Sequence, residues 1–351
     1  MGSFKKQNDE IAVLLMVSGG SDSEAMLELF CLLAAGAPAK GPQGEALLAM
    51  VREALPHAAA LSLRVLHINH LLRGEQSDAD EAFVVGQCEN FGVSYEVRRI
   101  DVGTLCASSS AGMEATARAA RYAAANDALD AFAAEARLSP ERALICTAHT
   151  LDDRVETYLM RTLVGCGPGG LASIPRRNGR ILRPLLSATR QQLREFLREQ
   201  HPGVADEQLW RDDPTNDDGS NFRSQVRNKL VPVMNELRPG FERSLERTMD
   251  LIADEDAALS ASAACTVYTN LSLEGECTLL PCSALTALSR PQARRVLRQC
   301  LLAVNADARL QAAQIERVLE LVAAGGTFST EVDGGIRVQS DGCNITMLIA
   351  Q

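Results

Sequence analysis

A chain of 351 residues with 46% apolar and 23% charged side chains has room for one large domain or two ordinary ones, which excludes disorder, collagen and a small disulfide scaffold. Aromatic residues make up only 4%, so the core must be built mainly from Ala, Leu and Val, a composition that suits helices and argues against an all-β fold. The net charge of −10 excludes indiscriminate coating of nucleic acid but permits a local basic surface.

The first apolar run, residues 11–17, follows two lysines but leads into Ser18-Gly19-Gly20-Ser21-Asp22, not a small-residue cleavage site, so it reads as a strand and not as a secretory signal. No stretch approaches the roughly 20 apolar residues of a membrane span. The expectation is a cytoplasmic protein with no membrane contact. Further strands are expected at 63–69, 93–100 and 143–148, with helices at 24–35, 77–91 and 114–136 between them. This alternation predicts an α/β fold, a doubly wound and mainly parallel sheet. Residues 36–61 exceed the length of an ordinary connection and read as a surface insertion containing a helical stretch. A helix at 188–200 and a polar stretch at 211–221 follow. Residues 223–271 read as a helical linker broken at Pro239-Gly240. Two amphipathic helices, 292–303 and 310–323, and a β-hairpin over 327–349 turning at Gly334-Gly335 complete a small α+β domain. The expected domains are therefore 1–222, the linker 223–271, and 272–351. Ten scattered cysteines with no Cys-x-x-Cys spacing read as reduced thiols.

The sharpest local signal is Ser18-Gly19-Gly20-Ser21-Asp22-Ser23 between a strand and a helix. That order aims backbone N–H groups and the positive helix end at one point, which suits phosphate; Ser18, Ser21 and Ser23 add hydroxyl donors. Taken alone, the six residues also fit an ordinary turn. The Gly-x-x-x-x-Gly-Lys-Ser/Thr pattern of P-loop kinases is absent, which directs attention to the α-phosphate. His149 falls at the end of the fourth strand, where open α/β sheets bind ligands. Asp153 and Glu156 share a helical face beside it, and Asp152 and Glu156 lie four apart, so a cation, Mg²⁺ or a substrate ammonium, should answer this acidic crowding. A capped helix end with a satisfied histidine fits the same residues. Glu114, Arg118 and Arg121 lie along one helix, and by spacing alone a solvated ion-pair stripe accounts for them. Five arginines and no acid occur between positions 174 and 190: Arg176, Arg177, Arg180, Arg183 and Arg190. With the glycine-rich 165–170 segment before them, they read as an RNA-facing loop, although arginine runs are often only solvated surface.

The Ser-Gly-Gly-x-Asp-Ser loop resembles the pyrophosphate loop of the N-type ATP pyrophosphatases. Further segments narrow the resemblance: His67-Ile68-Asn69-His70-Leu71-Leu72-Arg73-Gly74, Asp80-Glu81, Glu114 through Arg118 to Arg121-Tyr122, Thr147 through His149 to Thr157, Arg183-Pro184-Leu185-Leu186, and Asp213-Pro214-Thr215-Asn216-Asp217 through Arg223 and Arg227 to Pro232. In content and order, over about residues 11–240, they resemble the tRNA(Ile)-lysidine synthetase family. Ser224 departs from the Asn common there, and many relatives carry another C-terminal domain.

The resemblance implies an adenine nucleotide α-hydrolase-like fold and an ATP-dependent ligase that uses Mg²⁺. It would join free L-lysine to the wobble cytidine of tRNA(Ile) with a CAU anticodon, through an adenylated cytidine, releasing pyrophosphate and AMP. Ser18 to Ser23 would bind ATP, and Asp22, Arg118, His149, Asp153 and Glu156 would serve catalysis. Glu114, Arg118, Arg121 and Glu156 would hold substrate, with Asp153 the candidate metal contact. A homodimer is left open. The competing readings are a tRNA thiolase of the same superfamily, which needs cysteines that the spacing does not supply, and a nucleotide-dependent RNA-binding module without activity.

Overall fold

The computed structural model describes residues 10–55, 60–107, 112–211, 221–274 and 277–350. It divides into two compact units, Met1–Met249 and Asp250–Gln351. In the first, β1 (Glu10–Met16) leads to α1 (Ser21–Ala35), α2 (Gly41–Ala54), β2 (Ala60–Asn69), α3 (Glu75–Phe91), β3 (Ser94–Arg99), α4 (Val102–Ala107), α5 (Met113–Glu135) and β4 (Ala143–Thr147). Then come α6 (Leu151–Val164), α7 (Pro168–Leu171), β5 (Arg177–Asn178), β6 (Ile181–Leu182), α8 (Arg190–Gln200), α9 (Asp206–Leu209), α10 (Phe222–Gln225), α11 (Val231–Leu237) and α12 (Phe241–Asn270), within which the division falls.

The sheet order is β3-β2-β1-β4-β6-β5, parallel throughout except that β5 pairs antiparallel with β6 at the edge. β1 is central and covered on both sides. Val13 and Leu15 point to the core shared with Met26 and Phe30 of α1, Leu47 of α2 and Phe196 of α8, while Ala12 and Leu14 meet Ala125 and Leu129 of α5. Burial of both faces explains why β1 is continuously apolar. From β1 the chain winds outward through β2 and β3, then returns to place β4 on the other side of β1. The strand order thus reverses between β1 and β4, where a crevice opens at the carboxyl ends of the strands.

The segment expected as a surface insertion is a structural layer. α2 buries Leu47, Leu48 and Val51 in the main core. Lys40, just before it, exchanges backbone hydrogen bonds with the Gln200 side chain, N–H to Oε1 at 3.1 Å and O from Nε2 at 3.0 Å. Burying each such aliphatic side chain contributes about 1.5–3 kcal/mol. The last two residues of the segment already belong to β2, since Ala60 and Leu61 pair with Glu10 and Ile11.

Residues 223–271 are helical but not uniform. α10 passes through a π turn, Val226–Leu230, into α11. Pro232 lacks the N–H that would close the α-helical bond to Asn228, which accounts for the widened turn. In the second unit, β7 (Ser272–Glu274), β8 (Cys277–Pro281), α13 (Cys282–Thr286), α14 (Arg290–Val304), α15 (Ala312–Ala324), β9 (Thr327–Val332), β10 (Ile336–Asp341) and β11 (Asn344–Ile349) form an α+β unit. Its antiparallel sheet, β7-β8-β11-β10-β9, packs Val338, Ile345 and Met347 against Leu297, Leu301 and Leu319 of α14 and α15. The expected hairpin over 327–349 is three strands, because Gly342, at φ +95°, makes a second turn beyond Gly334-Gly335. Among the described residues no helix is long and apolar enough to cross a membrane.

One buried acid stands out in α1. Glu24 is 3% exposed, with one carboxylate oxygen lacking a hydrogen-bond partner. Burial, reinforced by Glu28, pushes its carboxyl up to about 8. The folded protein therefore holds this proton more tightly than the unfolded chain, whose reference value is 4.5. Stability is lost as pH rises through that window, at about 1.4 kcal/mol per pH unit. Glu24→Gln, which keeps the neutral shape, should exceed the wild-type Tm by a margin that grows up to about pH 8 and then levels off. A pH-independent margin in thermal melts would contradict this account.

Candidate active site

The crevice between β1 and β4 receives the Ser18 to Ser23 loop. Gly19 takes φ +94°, a backbone conformation that disfavours side chains, and a Cβ there would press on Val84 at 3.4 Å. Its carbonyl accepts from the Arg211 N–H at 2.8 Å. Ser23 is buried and braces the loop from within: its Oγ accepts from the N–H groups of Ser18 and Gly19, both at 3.2 Å, and donates to the Gly20 carbonyl at 2.9 Å. Its hydroxyl proton is therefore spent inside the loop, which corrects its reading as a phosphate donor. Ser21 donates to Asp22 Oδ1 at 3.3 Å and accepts from Arg194 Nε at 3.2 Å, while Ser18 stays exposed. Gly20 precedes α1 as its N-cap and offers no side-chain cap, so the first amides of the helix are suited to an anion.

Facing the loop is a network of carboxylates and guanidiniums. Thr150 and Asp153 form a capping box at the start of α6, with Asp153 Oδ2 accepting from the Thr150 N–H at 2.9 Å. One turn on, Glu156 is 2% exposed. Arg223 bridges both acids, Nη2 to Asp153 Oδ1 at 2.8 Å and Nε to Glu156 Oε2 at 2.6 Å. Arg227 donates from Nε to Glu156 Oε1 at 2.6 Å and from Nη2 to Oε2 at 3.1 Å. Arg190 donates from Nε to Asp22 Oδ2 at 3.1 Å and lies 3.5 Å from Asp153 Oδ1. The Arg190 backbone N–H also donates to Asp152 Oδ2 at 2.8 Å, fastening the start of α8 to the start of α6.

Burial alone would raise the Asp153 carboxyl, but the guanidiniums of Arg223 and Arg190 outweigh it and hold the group below the ordinary carboxylate range. For Asp22 burial prevails over the pull of Arg190, and its pKa is raised. Burial opposes the charge of Arg190 as well, yet Asp22 and Asp153 more than compensate and raise it. The cation expected to answer the acidic crowding is thus supplied by the chain's own arginines. With both Asp153 oxygens engaged, its expected place as a metal contact is not visible; among the described residues no three potential ligands converge.

His149 shares a 2.9 Å hydrogen bond between its Nδ1 and Thr147 Oγ1. Burial pushes its pKa down to about 4; Asp153 acts the other way, and the cations of Arg183, Arg121 and Arg118 add to the fall. Arg118 and Arg121 both lie over the Tyr122 ring, at 5.0 and 5.5 Å from its centroid. His67 is buried and donates from Nδ1 to the Val17 carbonyl at 2.9 Å, tying the β2 end to the base of the loop. The side chain of Glu114 and the motif at Asp213, Asn216 and Asp217 lie outside the described residues.

The arginine island is not one surface. Arg176 and Arg177 are exposed, and Arg180 pairs with Asp130 at 2.6 Å. Arg183, by contrast, is 3% exposed at the end of β6 and donates to the Pro175 carbonyl at 2.8 Å. Arg190 opens α8 among Asp22, Asp152 and Asp153. The last two therefore do not belong to an RNA-facing loop as expected. The 165–170 segment is also anchored, since Arg161 donates to the Gly170 and Ser173 carbonyls at 2.7 and 3.1 Å.

Comparison with known proteins fits this geometry. A family profile described as a PP-loop domain matches residues 1–234, and one described as the TilS substrate binding domain matches 280–342. The tRNA(Ile)-lysidine synthase of Chlorobaculum tepidum is 32% identical over 295 residues, covering 83% of this chain and 77% of its own. The chain belongs to the tRNA(Ile)-lysidine synthase family. Proteins of that name from Deinococcus radiodurans and Ralstonia nicotianae are 36% identical over 72% of this chain and 32% identical over 95%. The chain spans only 36% and 62% of the length of these two.

Within this lysidine synthase family member, sequence spacing located Asp22, His149, Asp153 and Glu156 but not their partners. Arg223 and Arg227 stand in the sequence only as members of a motif, and Arg190 reads there as part of the arginine island; their separation from the acids, 67 to 168 residues, carries no local signal. Replacing Ser23 by Ala leaves two loop amides without their acceptor, at a cost of about 1–3 kcal/mol. ATP affinity measured by equilibrium dialysis should fall about tenfold while the circular dichroism spectrum is kept. Unchanged affinity would show that the loop holds its shape without this brace.

Proposed function

We propose that this protein ligates free L-lysine to the wobble cytidine of a tRNA(Ile) with a CAU anticodon, consuming ATP and releasing pyrophosphate and AMP. The observation that carries the reading is the pairing of an uncapped helix start behind Gly19-Gly20 with the half-buried Asp153 and the buried Glu156 across one crevice. In the first step the cytosine 2-oxygen attacks the α-phosphorus, and the loop with the α1 N-terminus stabilises the departing pyrophosphate. Mg²⁺ enters with ATP as part of that substrate. The target base leaves its stack to reach the crevice.

In the second step the lysine ε-amine displaces AMP. An ammonium with a pKa near 10.4 must be held and then lose a proton, a task for carboxylates. Asp22 and Glu156 serve the lysine amines, and Glu114, Arg118 and Arg121 hold its carboxylate and the phosphates. His149, uncharged at neutral pH, works beside Asp153 in proton handling. Arg176, Arg177 and Arg180 contact RNA. Catalysis belongs to residues 1–222, joined by the helical linker 223–271 to the small domain 272–351, and the substrates place the protein in the cytoplasm. Burial pushes the Cys88 and Cys300 thiols up to about 12, so these two are poorly suited to sulfur transfer.

With protein, Mg²⁺-ATP, labelled L-lysine and the tRNA transcript, label should enter RNA with one AMP and one pyrophosphate released per event. Production of ADP and phosphate instead would refute the reading. Asp22→Ala should lower the rate by about 100-fold or more with the fold retained; full turnover would remove Asp22 from the mechanism.

A further inference from the structure

The carboxylates best suited to an ammonium are already occupied. Each oxygen of Glu156 is engaged by Arg223 or Arg227, and Arg223 also reaches Asp153. Glu156 has a side-chain exposure of only 3%, whereas Arg223 and Arg227 are at 37% and 23%. The arginine side chains are thus the more exposed members of these ion pairs, and Glu156 is reached past them. An incoming lysine ε-ammonium would compete for the same oxygens; it would keep the acids paired but leave the displaced guanidinium, now without its carboxylate, in the crevice. The guanidinium therefore needs an anionic partner of its own before it gives up the acids.

The chemistry of that partner follows from the guanidinium, whose planar fork matches a phosphate bidentately. The loop that suits phosphate is joined to this network through Asp22 and Arg190. Arg223 stands in α10 and Arg227 in the π turn that follows it, where Pro232 interrupts the helical ladder and fewer backbone bonds oppose a change of register.

We propose that Arg223 and Arg227 are positioning residues that keep the lysine seat closed until a phosphate group of bound nucleotide draws them away. Nucleotide then binds before lysine, and no amine is poised at the crevice until there is a phosphate to activate the cytidine. The inference rests on the ligase reading above and adds the order of binding to it.

Lysine binding to the full chain is measured by equilibrium dialysis with labelled L-lysine, with and without saturating Mg²⁺ and α,β-methylene-ATP. Wild type should bind lysine at least about fivefold more tightly with the analogue, and by linkage lysine should tighten the analogue by the same factor. Arg227→Gln should bind lysine more tightly than wild type without nucleotide and lose most of the dependence on the analogue, a gain that mere structural damage would not produce. Equal lysine affinity of wild type in both conditions, or no gain in a folded Arg227→Gln, overturns the proposal. If the variant does not melt cooperatively, the two wild-type conditions decide. Lysine incorporation into tRNA by wild type is scored in parallel: its absence refutes the ligase reading, whereas incorporation with nucleotide-independent lysine binding refutes only the closed seat.

Discussion

Asp22, Asp153 and Glu156 can share a buried crevice because Arg190, Arg223 and Arg227 answer them charge for charge. Ionised carboxylates in a low-dielectric site repel one another and each loses hydration worth several kcal/mol, so the cluster is tenable only with partners in hydrogen-bonding geometry. The partners arrive from separate elements: α8 brings Arg190, while α10 and the π turn bring Arg223 and Arg227. The network is therefore both a chemical site and the clasp that fixes α6, α8 and α10 around it. It also explains why the α8 N-terminus is fastened to Asp152 by its own backbone.

The sheet supplies the place where this can occur. β1 is dry on both faces and rigid, and the reversal of strand order beside it leaves a crevice that no crossover helix fills. The loop after β1 and the capped start of α6 after β4 open into that crevice from neighbouring strands. Ser23 and Gly19 keep the loop's amides in place, one by hydrogen bonds and the other by a backbone angle. Under the ligase proposal, preorganisation of this kind would let the loop stabilise charge as it develops. The π turn is a contrasting feature, a point of weak helical bonding next to the strongest ion pairs in the site.

Much was legible from local spacing. Strand, glycine loop and helix succeed one another within about 25 residues, and each pattern reports its own backbone. The common face of Asp153 and Glu156 follows from a three-residue step along a helix. The α+β character of the small second unit was legible from periodicity too, though its third strand required the turn at Gly342 to be recognised. The packing of α2 was not legible, because a helical stretch after Gly and Pro looks the same whether its apolar stripe meets a core or solvent.

The amino-acid sequence by itself determined which segments become strands and helices, where the glycine loop between β1 and α1 lies and which acids share a face of α6, since all of these depend on neighbours a few residues away. Only the tertiary structure decided the partners: that Arg190 leaves the arginine island for Asp22 across 168 positions, that Arg183 is buried, that Ser23 braces its loop, and that Arg223 and Arg227 close over Glu156. Periodicity assigns a side chain to a face, whereas the group waiting on the other side of that face is chosen by how distant elements pack.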